Sequence, residues 1–218
     1  FEALGYFKWG EGDNYDGGDG TEVPGSGTSL RTLLAKGAYE SQSGHRLEIS
    51  GERVHDDANR PYRANIGRLT NRNEPAERIY DLERENYRLS YSTPDADGFW
   101  DPTFVLGYGV TTLGVPVPYG SEGETGSLSG SFENDLNFGA GNTVTVGVDF
   151  YDDKAKYEDP SSQMDEQARN LGAFAQARLT PMEALRVSFG ARADKQWFEG
   201  LDGTELDNSG LSGNVSAA

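Results

Sequence analysis

The chain has 218 residues, 35% hydrophobic and 11% aromatic, with 36 acidic against 19 basic residues and a net charge of −17. That balance excludes a general binder of nucleic-acid backbones, which depends on excess Lys and Arg, and the lack of cysteine excludes a disulfide framework or a thiolate metal site. A mean hydropathy of −0.68 is low for a globular core, yet 29 glycines and the aromatic content argue against simple disorder, and no run of about 18 apolar residues exists to cross a membrane as a helix.

Alternation and turn signals predict ten strands. The first, about 1 to 9, is FEALGYFKW, with no signal peptide ahead of it, so an exported protein would be represented by mature or internal sequence. An acidic stretch follows, DNYDGGDGTE, offering Asp13, Asp16, Asp19 and Glu22 as hard oxygen donors suited to calcium. Its spacing meets neither the EF-hand loop nor a repeated calcium-binding motif, so it reads as a solvated loop, as do Asp152, Asp153, Glu158 and Asp159 further on. The next strands, 29 to 40 and 45 to 55, are joined by SQSG. Within HRLEISGER, Leu47, Ile49 and Gly51 share one parity and Arg46, Glu48, Ser50 and Glu52 the other.

Strands at 80 to 92, 99 to 111, 126 to 137 and 143 to 152 continue the pattern. Tyr87, Leu89 and Tyr91 oppose Asn86, Arg88 and Ser90, and Val144, Val146, Val148 and Phe150 oppose Thr143, Thr145, Gly147, Asp149 and Tyr151. In the strand at 169 to 180 the apolar parity is mostly alanine and Phe174 lies on the other, which leaves its facing ambiguous. The strand at 185 to 198 places Leu185, Val187, Phe189, Ala191 and Ala193 against Arg186, Ser188, Gly190, Arg192, Asp194 and Gln196. The tenth strand begins near 211. LSGNVSAA stops within an alternating run, so both ends read as cuts through a longer sheet.

Connections alternate in length. SQSG, TPDADG, GAGN and TPMEA are turn-like, while the stretches near 10 to 28, 56 to 79, 112 to 125, 153 to 168 and 199 to 210 read as long loops rich in Gly, Asp, Asn, Pro and Glu. Trp9, Phe150 and Trp197 lie beside the long connections, and Tyr39, Tyr91, Trp100 and Phe138 beside the short ones. Short turns on one rim, long loops on the other and two aromatic belts are the pattern of an outer-membrane barrel. A half-buried soluble sheet with aromatic corners would share the alternation and stays open as the competing reading.

The stretches SLRTLLAKGAYESQSGHRLEISGERV, NTVTVGVDFYDDKA and NLGAFAQARLTPMEALRVSFGARADKQWF, followed by GLSGNVSAA, resemble the middle barrel strands of TonB-dependent outer-membrane receptors of the haem and siderophore type. The resemblance implies an all-β antiparallel meander, an arc of a larger transmembrane β-barrel of about 22 strands around an N-terminal plug. Residues 1–218 then form one barrel segment with short periplasmic turns and long extracellular loops, without the plug. It further implies a receptor in the bacterial outer membrane that binds an iron chelate (siderophore) or haem and imports it with TonB-derived energy. The partners would be the TonB complex, reached through the plug, and outer-membrane lipid, with no nucleic acid and no intrinsic cofactor. A passive porin or adhesive surface barrel is the alternative.

Imidazole is a usual haem ligand, which draws attention to the two histidines. His45 follows SQSG on the periplasmic rim. His55 lies at the outer end of its strand, before DDANRPYRANIG, and shares parity with Leu47 and Ile49, so it points inward only if the strand ends or twists first. His55 and, in the next loop, Tyr62 are therefore the ligand candidates. No nucleophile elbow, paired-histidine zinc motif or phosphate-binding glycine loop is present, so neither a catalytic nor a metal site is expected.

Overall fold

A computed structural model describes residues 1–62, 77–93, 98–117 and 120–218. Ten strands form one open antiparallel sheet in chain order: β1 (Glu2–Gly12), β2 (Thr28–Glu40), β3 (Arg46–Asp56), β6 (Asp81–Ser92), β7 (Pro102–Val115), β8 (Ser121–Asn137), β9 (Thr143–Asp159), β10 (Ser162–Met182), β11 (Leu185–Glu199) and β12 (Glu205–Ala217). Two three-residue strands, β4 (Asn59–Pro61) and β5 (Glu77–Ile79), make a separate ribbon inside the β3–β6 connection.

The sheet has no second layer among the described residues. Among the described residues the buried apolar side chains are few and small, Ala38, Ala58, Val115 and Ala177, while Leu47, Val148, Leu171 and Phe189 are all exposed and Ile49 is 62% exposed. A water-soluble sheet has to bury such a face against another element. Here the face itself is the surface, which suits an apolar solvent.

Register makes the two faces continuous. Tyr39, Leu47, Tyr91, Phe104, Phe132, Val148, Ala173, Ala193 and Leu211 stand in one row across nine strands. One residue along, the row of the opposite face reads Ala38, Glu48, Ser90, Val105, Ser131, Asp149, Gly172, Asp194 and Gly210. The apolar band runs obliquely across the rows. Phe7 and Leu33 still belong to it on β1 and β2 where the same row has Arg53 on β3, and Gly51, Tyr87, Tyr108 and Leu128 share a row with Asp152 and Arg169. A horizontal slab of lipid crossing tilted strands produces that drift.

Phe174 belongs to the polar face, opposite Gly147 and Arg192. It fits because a Cβ on Gly147 would lie 2.5 Å from the Phe174 ring, so the glycine leaves the seat that the aromatic fills.

Strand ends differ from the sequence expectation on one rim. The stretches near 112 to 125 and 153 to 168 are mostly strand. β7 runs to Val115 and β8 begins at Ser121, β9 and β10 are joined through Pro160 and Ser161 alone, and β12 begins at Glu205. Beyond the lipid both faces of a hairpin are wet, so KAKYEDPSSQMDEQ has no apolar parity to betray its period. Pro160 turns the chain, and Asp159 Oδ1 accepts hydrogen bonds from the backbone N–H groups of Ser161 (2.7 Å) and Ser162 (2.8 Å). For the same reason Phe150 sits in the apolar band, level with Ile49 and Leu89, rather than at a strand end. On the short-turn rim aromatics do gather: Phe1 with Tyr39, Phe99 with Phe138, and Trp100 with Phe132.

Candidate functional site at the long-loop rim

The loop at 13–27 and the β4–β5 ribbon are built against each other. Asn14 Nδ2 donates to Glu22 Oε1 (2.9 Å) and Glu77 Oε1 (3.2 Å), while its Oδ1 accepts from the Gly27 N–H (2.9 Å). Arg60 donates to the Gly27 carbonyl (2.8 Å) and to the Asp56 carboxylate (2.5 Å). Gly25 lies so close to Pro61 that a Cβ there would strike its backbone. Asp56 is on the polar parity of β3, in register with Leu30 and Leu82. Arg60 therefore ties the ribbon to the polar side of the sheet.

Tyr62 follows this ribbon. The Arg78 guanidinium lies 5.0 Å from the Tyr62 ring centroid and 4.5 Å from that of Tyr80, and Arg78 also donates to the Tyr80 hydroxyl. The arrangement is a cation held between two phenol rings. Ser29 donates to Asp57 at the foot of the loop, and that hydrogen bond holds the Asp57 carboxyl below the usual carboxylate range.

His55 is placed differently. β3 continues as strand to Asp56, so His55 keeps the parity of Leu47 and Ile49, in the row of Trp9, Arg31 and Glu83. Its Nε2 lies 3.0 Å from Asp81 Oδ1. Tyr62 and His55 are thus separate: one on the ribbon tied to the polar side, the other on the outward face above the apolar band. His45, on the opposite rim, bonds through Nδ1 to the Tyr91 hydroxyl (2.6 Å).

The polar face below the rim carries a network that individual strand patterns do not reveal. Arg192 of β11 reaches Asp149 of β9 (2.7 Å) and its own neighbour Asp194 (2.7 Å). The two strands are separated by β10, and a Cβ on the intervening Gly172 would collide with the guanidinium. Arg46 binds Glu2 (2.8 Å), Glu40 (3.4 Å) and Glu48 (3.5 Å), and Lys36 binds Glu48 (2.9 Å). Among the described residues no group of three or more His, Cys, Asp or Glu is arranged to hold a metal ion.

Asn14, Arg60 and Arg78 escape sequence reasoning because each also meets a partner far along the chain: Asn14 meets Gly27 and Glu77, Arg60 meets Gly27, and Arg78 meets Tyr62. Alternation does supply the one available signal for Arg192 and Asp149, since both fall on the charged parity.

No protein-family model matches the sequence. The chain is 31% identical over 225 residues to the heme transporter BhuA of Brucella ovis, matching 93% of this chain and 31% of that protein. It is 30% identical over the same length to BhuA of Brucella abortus strain 2308. It therefore spans about a third of the curated relatives it matches. In structure it resembles the FrpB iron transporter of Neisseria meningitidis (F5-1 variant), with a TM-score of 0.79 at 14% identity over 99% of this chain and 39% of that one. The copper transporter OprC gives 0.72 at 14% identity, over 98% and 36%. The Serratia marcescens receptor HasR, solved as a double mutant with its hemophore HasA and heme, gives 0.65 at 16% identity, over 99% and 37%. At these identities the structures establish the fold: an antiparallel arc shared with part of much longer barrel proteins.

Proposed function

We propose that this chain, a barrel segment of a TonB-dependent receptor of the outer membrane, is part of the wall of a transporter that imports haem with energy delivered through TonB. The single observation that carries the cargo class is the 31% identity with heme transporter BhuA, which runs through 93% of the chain. The structural neighbours handle iron, copper or heme by name, so the barrel arc itself does not choose among cargoes. A ferric siderophore is the next cargo to test.

Geometry supports a division of labour along the strands. At the long-loop rim, Tyr62 and the Arg78–Tyr80 stack give aromatic surface beside a fixed cation, chemistry suited to a flat anionic macrocycle. Tyr62, on the polar side, is the better-placed candidate ligand for its iron; the other candidate, His55, keeps the outward parity and would meet the cargo only at the outer rim. The paired charges of the polar wall, Arg46, Arg192, Asp149 and Asp194, suit contact with a hydrated filling rather than a narrow selective pore.

The test is accumulation of labelled haem by cells carrying the intact gene, with and without TonB and with a proton uncoupler. Surface binding should survive loss of TonB, because the external loops still make their contacts, and accumulation should cease. Undiminished uptake of small solutes without TonB would instead identify a passive porin.

A further inference from the structure

Among its described strand residues, the outward face of the sheet carries six Lys and Arg side chains, all towards one end. Arg31, Arg53, Lys154, Lys156, Arg169 and Lys195 each stand on the long-loop side of the apolar residues of their own strand. On the short-turn side the same face has aromatic and aliphatic residues in their place. A long cationic side chain at the edge of an apolar band lays its stem on the lipid and its head among the headgroups.

Arg31 and Arg53 are set apart from the other four by a cleft of about 280 Å³, which they line with Phe7, Thr32, Leu33 and His55. Leu33 stands between Phe7 and Arg53 in the register, and Arg31 between Trp9 and His55 one row above. The cleft therefore has an apolar floor towards the band and a cationic upper edge. The two arginines are diagonal neighbours on β2 and β3, about 7–8 Å apart. Arg53 is held through Nη2 by Glu83 (2.8 Å) and through Nε by Glu85 (3.3 Å), which leaves Nη1 to donate elsewhere. Glu85 also accepts from the Tyr87 hydroxyl (3.1 Å), Asp81 is taken by His55 (3.0 Å), and Asp57 by Ser29. Arg31 has no ion pair among the described residues, although strands of this chain flank it on both sides. The carboxylates around the cleft are engaged, and Arg31 is the charge left over.

We infer that Arg31 and the open edge of Arg53 hold the phosphate of a membrane lipid in the leaflet at the long-loop end, with its acyl chains lying on Phe7 and Leu33. The occupant must be anionic on one side and apolar on the other, because Phe7 is 68% and Leu33 57% exposed beside the two guanidinium groups. A free phosphate would leave that floor uncovered, and a protein carboxylate would have to be presented from within the lipid. Guanidinium forks fit phosphate oxygens in pairs. The inference rests on the outward face meeting lipid, as the barrel reading has it, and not on which cargo is carried.

Native mass spectrometry of the intact receptor in detergent tests it, by titration with phosphatidic acid, with diacylglycerol of the same chains and with inorganic phosphate. Arg31→Gln should weaken the tightest-bound phosphatidic acid about fivefold, the loss expected for one basic side chain at an anionic lipid surface. Arg53→Gln should weaken it at least as much, because it also releases Glu83 and Glu85 beside the cleft. Arg88→Gln, which removes the same charge from the polar face, should change nothing, and neither diacylglycerol nor inorganic phosphate should compete. Equal losses in R31Q and R88Q would reduce the effect to overall charge and overturn the inference. So would equal binding of diacylglycerol, or displacement of the lipid by inorganic phosphate, which would mark a site for free anions. The readout involves neither haem nor TonB, so a failure of the uptake test leaves it interpretable.

Discussion

The row from Tyr39 to Leu211 and the row from Ala38 to Gly210 are separated by one backbone step on every strand, yet they obey different rules of assembly. On the apolar side, specific partners are confined to the short-turn end, where Tyr39, Tyr91 and Phe132 meet Phe1, His45 and Trp100; along the rest of the row valine, alanine and leucine follow one another because lipid solvates them all. On the polar side several large groups are matched to specific partners. Arg192 has two carboxylates and a glycine slot, Phe174 has the space left by Gly147, and Arg46 has three glutamates. The lesson is that the lipid face is specified by composition and the polar face by pairing across strands.

A charge placed on each face is the strongest way to break that comparison. Val148→Arg puts a cation in the middle of the apolar row and should cost about 2–4 kcal/mol. Ser131→Arg, one residue off that row and in register with Asp149, should cost less than about 1 kcal/mol. Reversible urea unfolding in lipid vesicles measures both. Equal penalties would mean that the two faces meet the same solvent.

Volume tests the pairing rule next. Gly147→Val fills the seat of the Phe174 ring and should destabilise by about 1–3 kcal/mol, as overpacking does. Adding Phe174→Ala should recover part of that loss, giving a coupling outside simple additivity. The same glycine-to-valine change at Gly37, where nothing lies within 4 Å of a new Cβ, should be close to neutral. Strictly additive effects at Gly147 and Phe174 would remove the seat as an explanation.

Charge pairing on the polar wall should show a smaller coupling. Arg192 and Asp149 are about a third exposed, with side-chain values of 33% and 28%, so solvent weakens their attraction. A double-mutant cycle of Arg192→Gln and Asp149→Asn should return about 0.5–1 kcal/mol. Gly172→Val should mimic Arg192→Gln, because the new side chain occupies the path of the guanidinium.

These contrasts also explain what could be read in advance. The ten strands, their order and the two faces follow from alternation, since Leu47 and Ile49 against Glu48 and Ser50 leave little freedom of register. The ends of β7 at Val115 and of β9 at Asp159 could not be found that way, because residues wet on both faces carry no period. The facing of Phe174 becomes legible only when Gly147 is known to lie opposite. At the long-loop rim, Tyr62 reads as a candidate by residue type, but its setting beside Arg78 depends on a loop closure that no local pattern encodes. His55 is a case where parity was informative: the strand runs on to Asp56, and the histidine keeps the outward side that counting assigns it.

The smallest expected effect lies at the β9–β10 tip, beyond both rows. Asp159 is half-buried, and its carboxyl is held far below the usual carboxylate range, first by the Ser161 hydroxyl and backbone N–H, with the Tyr157 hydroxyl also donating. Tyr157 is pushed up in turn, because ionising would cost that hydrogen bond. A carboxyl whose folded pKa is depressed contributes its stabilisation in full above the unfolded value, near 3.9, and loses it only as pH falls through the lower folded value. The turn should therefore be indifferent to acidification from pH 7 to pH 5. Asp159→Ala should raise amide hydrogen exchange at Ser161 and Ser162 throughout that range while leaving the urea midpoint of the whole sheet unchanged, since the tip adds nothing to either face. A fall in the global midpoint comparable to that of Arg192→Gln would show that the tip is coupled to the wall and that the pairing rule extends past the lipid.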